Sequence, residues 1–308
     1  MAGRRVLRKS EPKGGPVLPA PMLEMLKAHP ESMGPQDLFS VVQEFAQQKR
    51  KHHETINAIQ KAINDIYDRF APDQRVRFFS MLYDRFAERY DEHMAGTGHY
   101  DAIRRVLLFG MPYLRLPILD LTAGTGEPLK YAVEFMCAAE NLRGPFSMLA
   151  PEPFFEQTDL TYQIHANEIS ARMLARAEEK LQGIGRVGFT DYNALRLPDH
   201  LSGRFNTVLC SQTFHLIADE DKPLLAKSIH DALVPGGVAV VMEEDPFRIT
   251  PSAPIEAVSL FLRSVVRPIK HRGDLIGLFI NLGMRRLEER AVAPIDSEHS
   301  MRLHLFQK

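Results

Sequence analysis

The chain has 308 residues, 44% hydrophobic and 25% charged, with a formal net charge of -1; this is the profile of a folded globular chain with room for one large domain and an extension. A near-neutral balance argues against a dedicated nucleic-acid binder, which carries a basic excess. No run of 18 apolar residues occurs, so no membrane-spanning helix is expected.

Residues 1–20 combine Gly and Pro with Arg4, Arg5, Arg8 and Lys9. They read as a disordered tail, with no apolar run of the kind a secretory signal needs. Residues 21–99 read as a helical N-terminal region. In it Leu38, Val42, Phe45, Ile56, Ile59, Ile63, Ile66 and Phe70 form a heptad-like stripe, interrupted by Lys49 and His52. That stripe predicts one long helix or two collinear ones over 36–70. Packing on its own domain and pairing into a homodimer both account for it. Pro72 ends this helix. A second helix follows through Phe78, Phe79, Leu82, Tyr83, Phe86 and Tyr90, broken at Gly96-Thr97-Gly98. A further amphipathic helix, 100–112, leads into the main domain at 100–308.

From Leu116 onward strands and helices alternate. Strands are predicted at 117–121, 163–167, 186–189, 205–210, 238–242, 286–292 and 301–306, and helices at 126–139, 171–181, 222–233 and 273–282. Such alternation means a doubly wound α/β domain, with a mainly parallel sheet covered by helices on both faces. Strand 238–242 is apolar throughout, as a strand buried on both faces should be. Cys137 and Cys210 stand alone in apolar surroundings. They make neither a disulfide framework nor a metal site, and fit a reducing, cytoplasmic setting.

The chemistry concentrates at the strand ends. The first strand runs into Asp120-Leu121-Thr122-Ala123-Gly124-Thr125-Gly126, where glycines let backbone approach a ligand and the next helix offers free N–H groups. A carboxylate beside that turn suits a cationic or hydroxyl-bearing ligand better than a phosphate. Position 129 is Leu, so the Gly-x-Gly-x-x-Gly dinucleotide pattern is incomplete, which counts against a redox nucleotide. The second strand ends in Glu168, which could accept ribose hydroxyls or serve the dipole of the following helix. The third ends in Asp191-Tyr192-Asn193, which could border an adenine or simply form an Asp-led turn. Three strands ending in carboxylates at one sheet edge, beside a glycine turn, favour a ligand site there.

These stretches, with Ala166-Asn167-Glu168-Ile169-Ser170 and the Pro235-Gly236-Gly237 before the fifth strand, resemble the class I S-adenosylmethionine-dependent methyltransferases over about two-thirds of the chain. The resemblance implies a Rossmann-like, seven-stranded sheet with its last strand antiparallel, and S-adenosylmethionine as cofactor. It implies that Thr122, Ala123, Gly124 and Gly126 approach the methionine part, that Glu168 and Ile169 flank the ribose, and that Asp191, Tyr192 and Asn193 border the adenine, with Cys210 and Ser211 at the end of the fourth strand. Tyr83 and Tyr90 lie on a helix similar to the one that small-molecule members place over the cofactor. The segment 138–161, read as loop from Asn141, is longer than the family usually shows.

Methyl transfer requires alignment rather than a catalytic triad. His215 stands near the expected acceptor pocket, either as a general base or as a structural histidine. Residues 243–272, with Glu243, Glu244, Phe247, Phe261 and Arg263, are expected to help build that pocket. The fourth strand lacks the Asn/Asp-Pro-Pro-aromatic sequence of base-amino methyltransferases, so a small organic acceptor is favoured over nucleic acid. A non-catalytic cofactor-binding partner subunit and an RNA or protein methyltransferase are the alternatives.

Overall fold

The computed structural model describes residues 34–40, 63–143, 163–184, 186–245, 272–287, 292–295 and 299–308. Residues 35–40 and 63–67 are helical; the rest of the heptad-like stripe and the 1–20 tail lie outside the described residues. Helix α1 (Pro72–Gly96) starts where proline is tolerated, at the first helical position. Gln74 Oε1 accepts from the Ala71 N–H at 2.9 Å, satisfying one of the free donors at this end. One side of α1 buries Phe78, Leu82 and Phe86. Thr97 and Gly98, the latter at φ 80°, turn the chain into α2 (His99–Gly110).

Next come β1 (Ile118–Asp120), α3 (Glu127–Arg143), β2 (Ile164–Asn167), α4 (Ala171–Leu181), β3 (Val187–Thr190), β4 (Phe205–Ser211), α5 (Lys222–Ala232) and β5 (Leu233–Asp245). After them lie α6 (Arg272–Ile280), β6 (Arg285–Arg286), β7 (Val292–Pro294) and β8 (Ser300–Gln307). The sheet order is β3-β2-β1-β4-β5-β8-β6, with β7 also paired to β8. Strands β1 to β5 pair in parallel, and β8 lies antiparallel to β5.

Two layers cover the sheet. Ile118, Leu209 and Val240 face a core built with α2, α3 and α4. Leu119, Val208 and Val241 face one built with α5 and α6. The strand order reverses between β1 and β4, and a crevice opens at their carboxyl ends, the usual place for a ligand in open α/β sheets.

Of the strand expected at 286–292 the described residues show two short ones, so that eight strands are described where seven were expected. Both run along the same edge of β8 in shifted register: from Arg286↔Phe306 to Val292↔Arg302 one strand side advances six positions and β8 four. Helix α3 continues to Arg143, through residues the sequence suggested were loop. Strand β5 reaches Asp245, so Glu243 and Glu244 are strand residues with buried side chains.

Gly126 is fixed by helix packing. Its φ is +82°, and a Cβ there would lie 3.0 Å from Leu181 Cδ1 and 3.2 Å from Ala177 Cβ. Gly126→Ala therefore combines backbone strain with overpacking and is expected to destabilise the fold by about 2–4 kcal/mol. Thermal melting should show a midpoint lower by about 4–12 °C; an unchanged midpoint would mean that α4 moves aside without cost.

Candidate active site

The crevice is a cavity of about 110 Å³. Its floor is the glycine turn and the ends of β1, β2 and β4. Its roof is α1, which turns Val76, Phe79, Tyr83 and Tyr90 toward it at helical spacing. A smaller pocket of about 20 Å³ lies beside it, between Ala123, Thr125 and Tyr100. Tyr90, Thr122, Gly124, Ser211 and Gln212 border both.

Glu168 is the one charged side chain on the large cavity's wall among the described residues. Its Oε2 accepts from the Gly124 N–H and its Oε1 from the Ser170 N–H, each at 2.9 Å. One carboxylate thus holds the glycine turn and the start of α4 together. Burial pushes its pKa up, against the pull of those N–H donors. A carboxylate has about four acceptor positions, so roughly two remain for a ligand.

Asn167, which sequence analysis did not single out, fixes three strand ends. Its Nδ2 donates to Leu121 O and Tyr192 O, and its Oδ1 accepts from Tyr192 N and Thr190 Oγ1, all at 2.9–3.0 Å. Its place at the end of β2, one residue before Glu168, was the available signal.

Asp120 is fully buried, and neither carboxylate oxygen has a hydrogen-bond partner at normal geometry. Burial raises its pKa from the ordinary 3.8 to about 7; the Thr122 N–H opposes the rise and the nearby Glu168 charge adds to it. Burial likewise holds the Tyr83 and Tyr90 hydroxyls well above the usual phenol range, with Glu168 contributing to both and Asp120 to Tyr90. They stay protonated and available as donors.

Helix α1 is tied down at three places. Arg75 reaches Asp221 and Glu220 at 2.8 Å each, its pair with Asp221 almost wholly buried. Asp84 Oδ1 accepts from Ser170 Oγ at 2.7 Å and from the Arg172 N–H at 3.0 Å, adding charge to the N-terminus of α4. Asp91 accepts from Tyr100 OH at 2.5 Å, from Lys180 Nζ at 3.0 Å and from Thr125 Oγ1 in the glycine turn. Those hydrogen bonds outweigh burial and hold the Asp91 pKa below the usual carboxylate value.

Of the residues expected in the site, Tyr83, Tyr90, Thr122, Gly124, Glu168, Ile169, Tyr192, Asn193 and Ser211 line the large cavity, and Ala123 lines the smaller pocket. Asp120 lies behind the wall. Gly126 packs on α4 instead of facing the cavity. Asp191 is exposed and does not line it. Asn193 takes the rim position, its amide bonded to Asp73 of α1 at 3.1 Å. Cys210 is buried beneath, and burial pushes its thiol pKa up, out of the range of a thiolate nucleophile. His215 is buried off the cavity wall, with Nδ1 2.8 Å from Glu243 Oε2. Glu243 Oε1 also accepts from the N–H groups of Thr213 and Phe214. Glu244 lies 3.5 Å from His99. Phe247, Phe261 and Arg263 lie outside the described residues. Among the described residues no group of three side chains could hold a metal ion, and no helix is long and apolar enough to cross a membrane.

Comparison with known proteins agrees with this geometry. Residues 153–237 match a family described as Methyltransferase domain. A ubiquinone/menaquinone biosynthesis C-methyltransferase of Pseudoalteromonas translucida is 30% identical over 131 residues, 41% of this chain and 41% of that protein. The chain thus spans about two-fifths of the length of the curated relative it matches. Among solved structures, an S-adenosylmethionine-dependent methyltransferase from Mesorhizobium loti aligns at TM-score 0.44 and 18% identity, over 66% of this chain and 96% of that one. The pyocyanin biosynthetic protein PhzM aligns at 0.45 and 14%, over 67% and 54%. Residues 153–237 thus carry a methyltransferase-domain match, and the doubly wound sheet around them holds the cavity at its switch point.

Asp120 generates a pH prediction. A carboxylate with a raised folded-state pKa holds a proton that the unfolded chain releases, so its contribution to stability is lost as pH rises from about 4 through about 7. In the ligand-free protein at pH 8, Asp120→Asn removes that cost and should stabilise by a few kcal/mol, since each tenfold difference in proton affinity between the folded and unfolded chain is worth about 1.4 kcal/mol. At pH 4 the variant and the parent should be nearly equal. Denaturant unfolding at both pH values checks this; a gain of the same size at pH 4 would rule out the titration.

Proposed function

We propose that this chain transfers a methyl group from S-adenosylmethionine to a small organic acceptor. The observation that carries the reading is the cavity at the β1/β4 switch point, floored by the glycine turn and Glu168 and roofed by α1. Bound there, S-adenosylmethionine supplies a methyl group already activated on a sulfonium.

The residues present fit that group. Tyr192 and Asn193 border the adenine end. Glu168 keeps acceptor positions for the ribose hydroxyls. At Gly124, φ +56°, a Cβ would come only within 3.9 Å of Met173 and Tyr90, so the backbone stands open toward the methionine part. The unpartnered Asp120 carboxylate behind the turn favours the cofactor's positive charge. Helix α1 excludes water, and the Tyr83 and Tyr90 hydroxyls serve as donors over the site. His215, locked on Glu243, positions the segment after β4; the geometry favours this role over that of a base. Alignment of acceptor and methyl carries the rate in this reading and can supply about 7–11 kcal/mol.

A small, largely apolar cavity under a helical roof favours a small acceptor over a nucleic acid or protein chain. The relative from Pseudoalteromonas translucida is by its name a quinone-pathway C-methyltransferase, which is consistent with this class. A cytoplasmic enzyme completes the proposal.

Calorimetric titration tests it. S-adenosylmethionine and S-adenosylhomocysteine should bind in the micromolar range and NAD should not. Glu168→Ala should weaken binding by about tenfold or more, as expected for lost charge-assisted contacts of about 1.5–3 kcal/mol, and Asp120→Ala should weaken it as well, through loss of a negative charge behind the wall. A cationic ligand stabilises ionised Asp120, so affinity for S-adenosylmethionine should rise as pH passes up through about 7. Unchanged affinity in both variants would remove the site assignment.

A further inference from the structure

Gln212 follows β4 directly and is, among the described residues, the one non-glycine with positive φ, at 55°. A side chain with a Cβ is disfavoured there. Surrounding bonds impose the conformation. The Gln212 N–H donates to Met242 O at 2.8 Å, and the next two N–H groups both donate to Glu243 Oε1 at 2.8 Å. Thr213 Oγ1 donates back to Ser211 O at 3.0 Å. So held, Gln212 lies on the wall shared by the two cavities.

Its polar capacity is little used. Nε2 donates to Met301 Sδ at 3.4 Å, and a thioether is a weak acceptor. Beside it Ser211 Oγ is buried without a hydrogen-bond partner. Strain imposed by the surroundings at a cavity wall points to function, and unspent buried polar groups point to a ligand. Phe79, Leu216 and Ile217 make the wall nearby largely apolar, and the neighbouring hydroxyls of Thr122 and Thr213 are bonded to each other at 2.7 Å. The nearest charge on the wall is Glu168, which repels anions.

Resting on the methyltransferase reading, which assigns Glu168, Asn193 and Gly124 to the cofactor, we infer that Gln212 and Ser211 bind the polar group of the methyl acceptor. That acceptor is uncharged and largely apolar, and carries a hydroxyl or carbonyl. The two side chains border both cavities, as Gly124 of the glycine turn does, and in the proposed reading the transferred group comes to this junction.

The test uses the full chain loaded with S-adenosylhomocysteine and three probes of one shape: p-cresol, toluene and p-toluate. p-Cresol should bind about three- to tenfold more tightly than toluene, the worth of one or two neutral hydrogen bonds, and p-toluate more weakly than either. Gln212→Gly suits the backbone and should keep or raise the melting midpoint. It should lower p-cresol affinity to that of toluene and leave S-adenosylhomocysteine affinity within about twofold. Gln212→Met, which keeps the volume without the amide, should do the same to p-cresol. Failure of p-cresol to bind, equal binding of p-cresol and toluene, or unchanged p-cresol binding in both variants would overturn the inference. So would an equal loss of S-adenosylhomocysteine affinity, which would make Gln212 a cofactor residue. If the parent chain binds no S-adenosylhomocysteine, the methyltransferase reading fails. The same probe comparison on unloaded protein then still decides whether Gln212 and Ser211 form a polar docking point.

Discussion

A buried carboxylate must find donors, and Glu168 takes its two from different elements. The Gly124 N–H belongs to the turn after β1, and the Ser170 N–H opens α4. Without that carboxylate the turn would leave a donor facing the cavity and α4 would lose an anion at its N-terminus, where helix dipoles favour one. The cavity floor is therefore a product of one charge. Asn167 acts beside it in the same way with neutral groups, binding the backbones that follow β1 and β3. Together the two residues set the three parallel strand ends at fixed distances before any ligand arrives, as a preorganised site requires.

The roof obeys a different rule. Helix α1 sends apolar and aromatic groups into the cavity and places its carboxylates and Arg75 around the rim. Burying Arg75 alone would be costly; paired with Asp221 it is held, because breaking one member of a buried pair leaves an uncompensated charge. Asp91 ties α1 to Thr125 of the turn and to Lys180 of α4. Movement of the roof is thus coupled to the floor through shared side chains, while the Val76, Phe79, Tyr83 and Tyr90 face of α1 supplies part of the cavity's apolar wall.

Much of this was legible in the sequence where periodicity and backbone chemistry dominate. Helix α4 has the predicted bounds because Ser170 caps it and the following apolar residues repeat at helical spacing. Pro72 and Gly98 likewise mark the ends of α1, since both act on the backbone itself. The edge strand was read as one because register depends on pairing partners remote in sequence: nothing local shows that the pairing with β8 shifts by two between Arg286 and Val292. The site followed the same division. Glu168 and Gly124 were readable from their strand-end positions. Direction was not, because beyond the strand end the turn and not strand alternation aims each side chain: Asp191 is exposed while Asn193, two residues on, reaches the rim. Gly126 looked like a ligand glycine and is a packing glycine, since only the approach of Leu181 and Ala177 distinguishes the two.

Asp120 shows why such a site is kept imperfect. A fully satisfied interior would pair that carboxylate or replace it with an amide, and the ligand-free fold would be more stable. Leaving both oxygens unpartnered costs stability wherever the group is ionised. It also leaves a deficit that a cationic ligand can relieve. In the proposed reading, the preference for cofactor-bound over free protein arises from an unmet charge behind the wall, with no rearrangement of the floor that Glu168 and Asn167 hold. Gln212 stores a smaller deficit of the same kind in its backbone. Both lie at the carboxyl ends of adjacent strands, β1 and β4, where the chain order reverses and the sheet cannot satisfy its own polar groups.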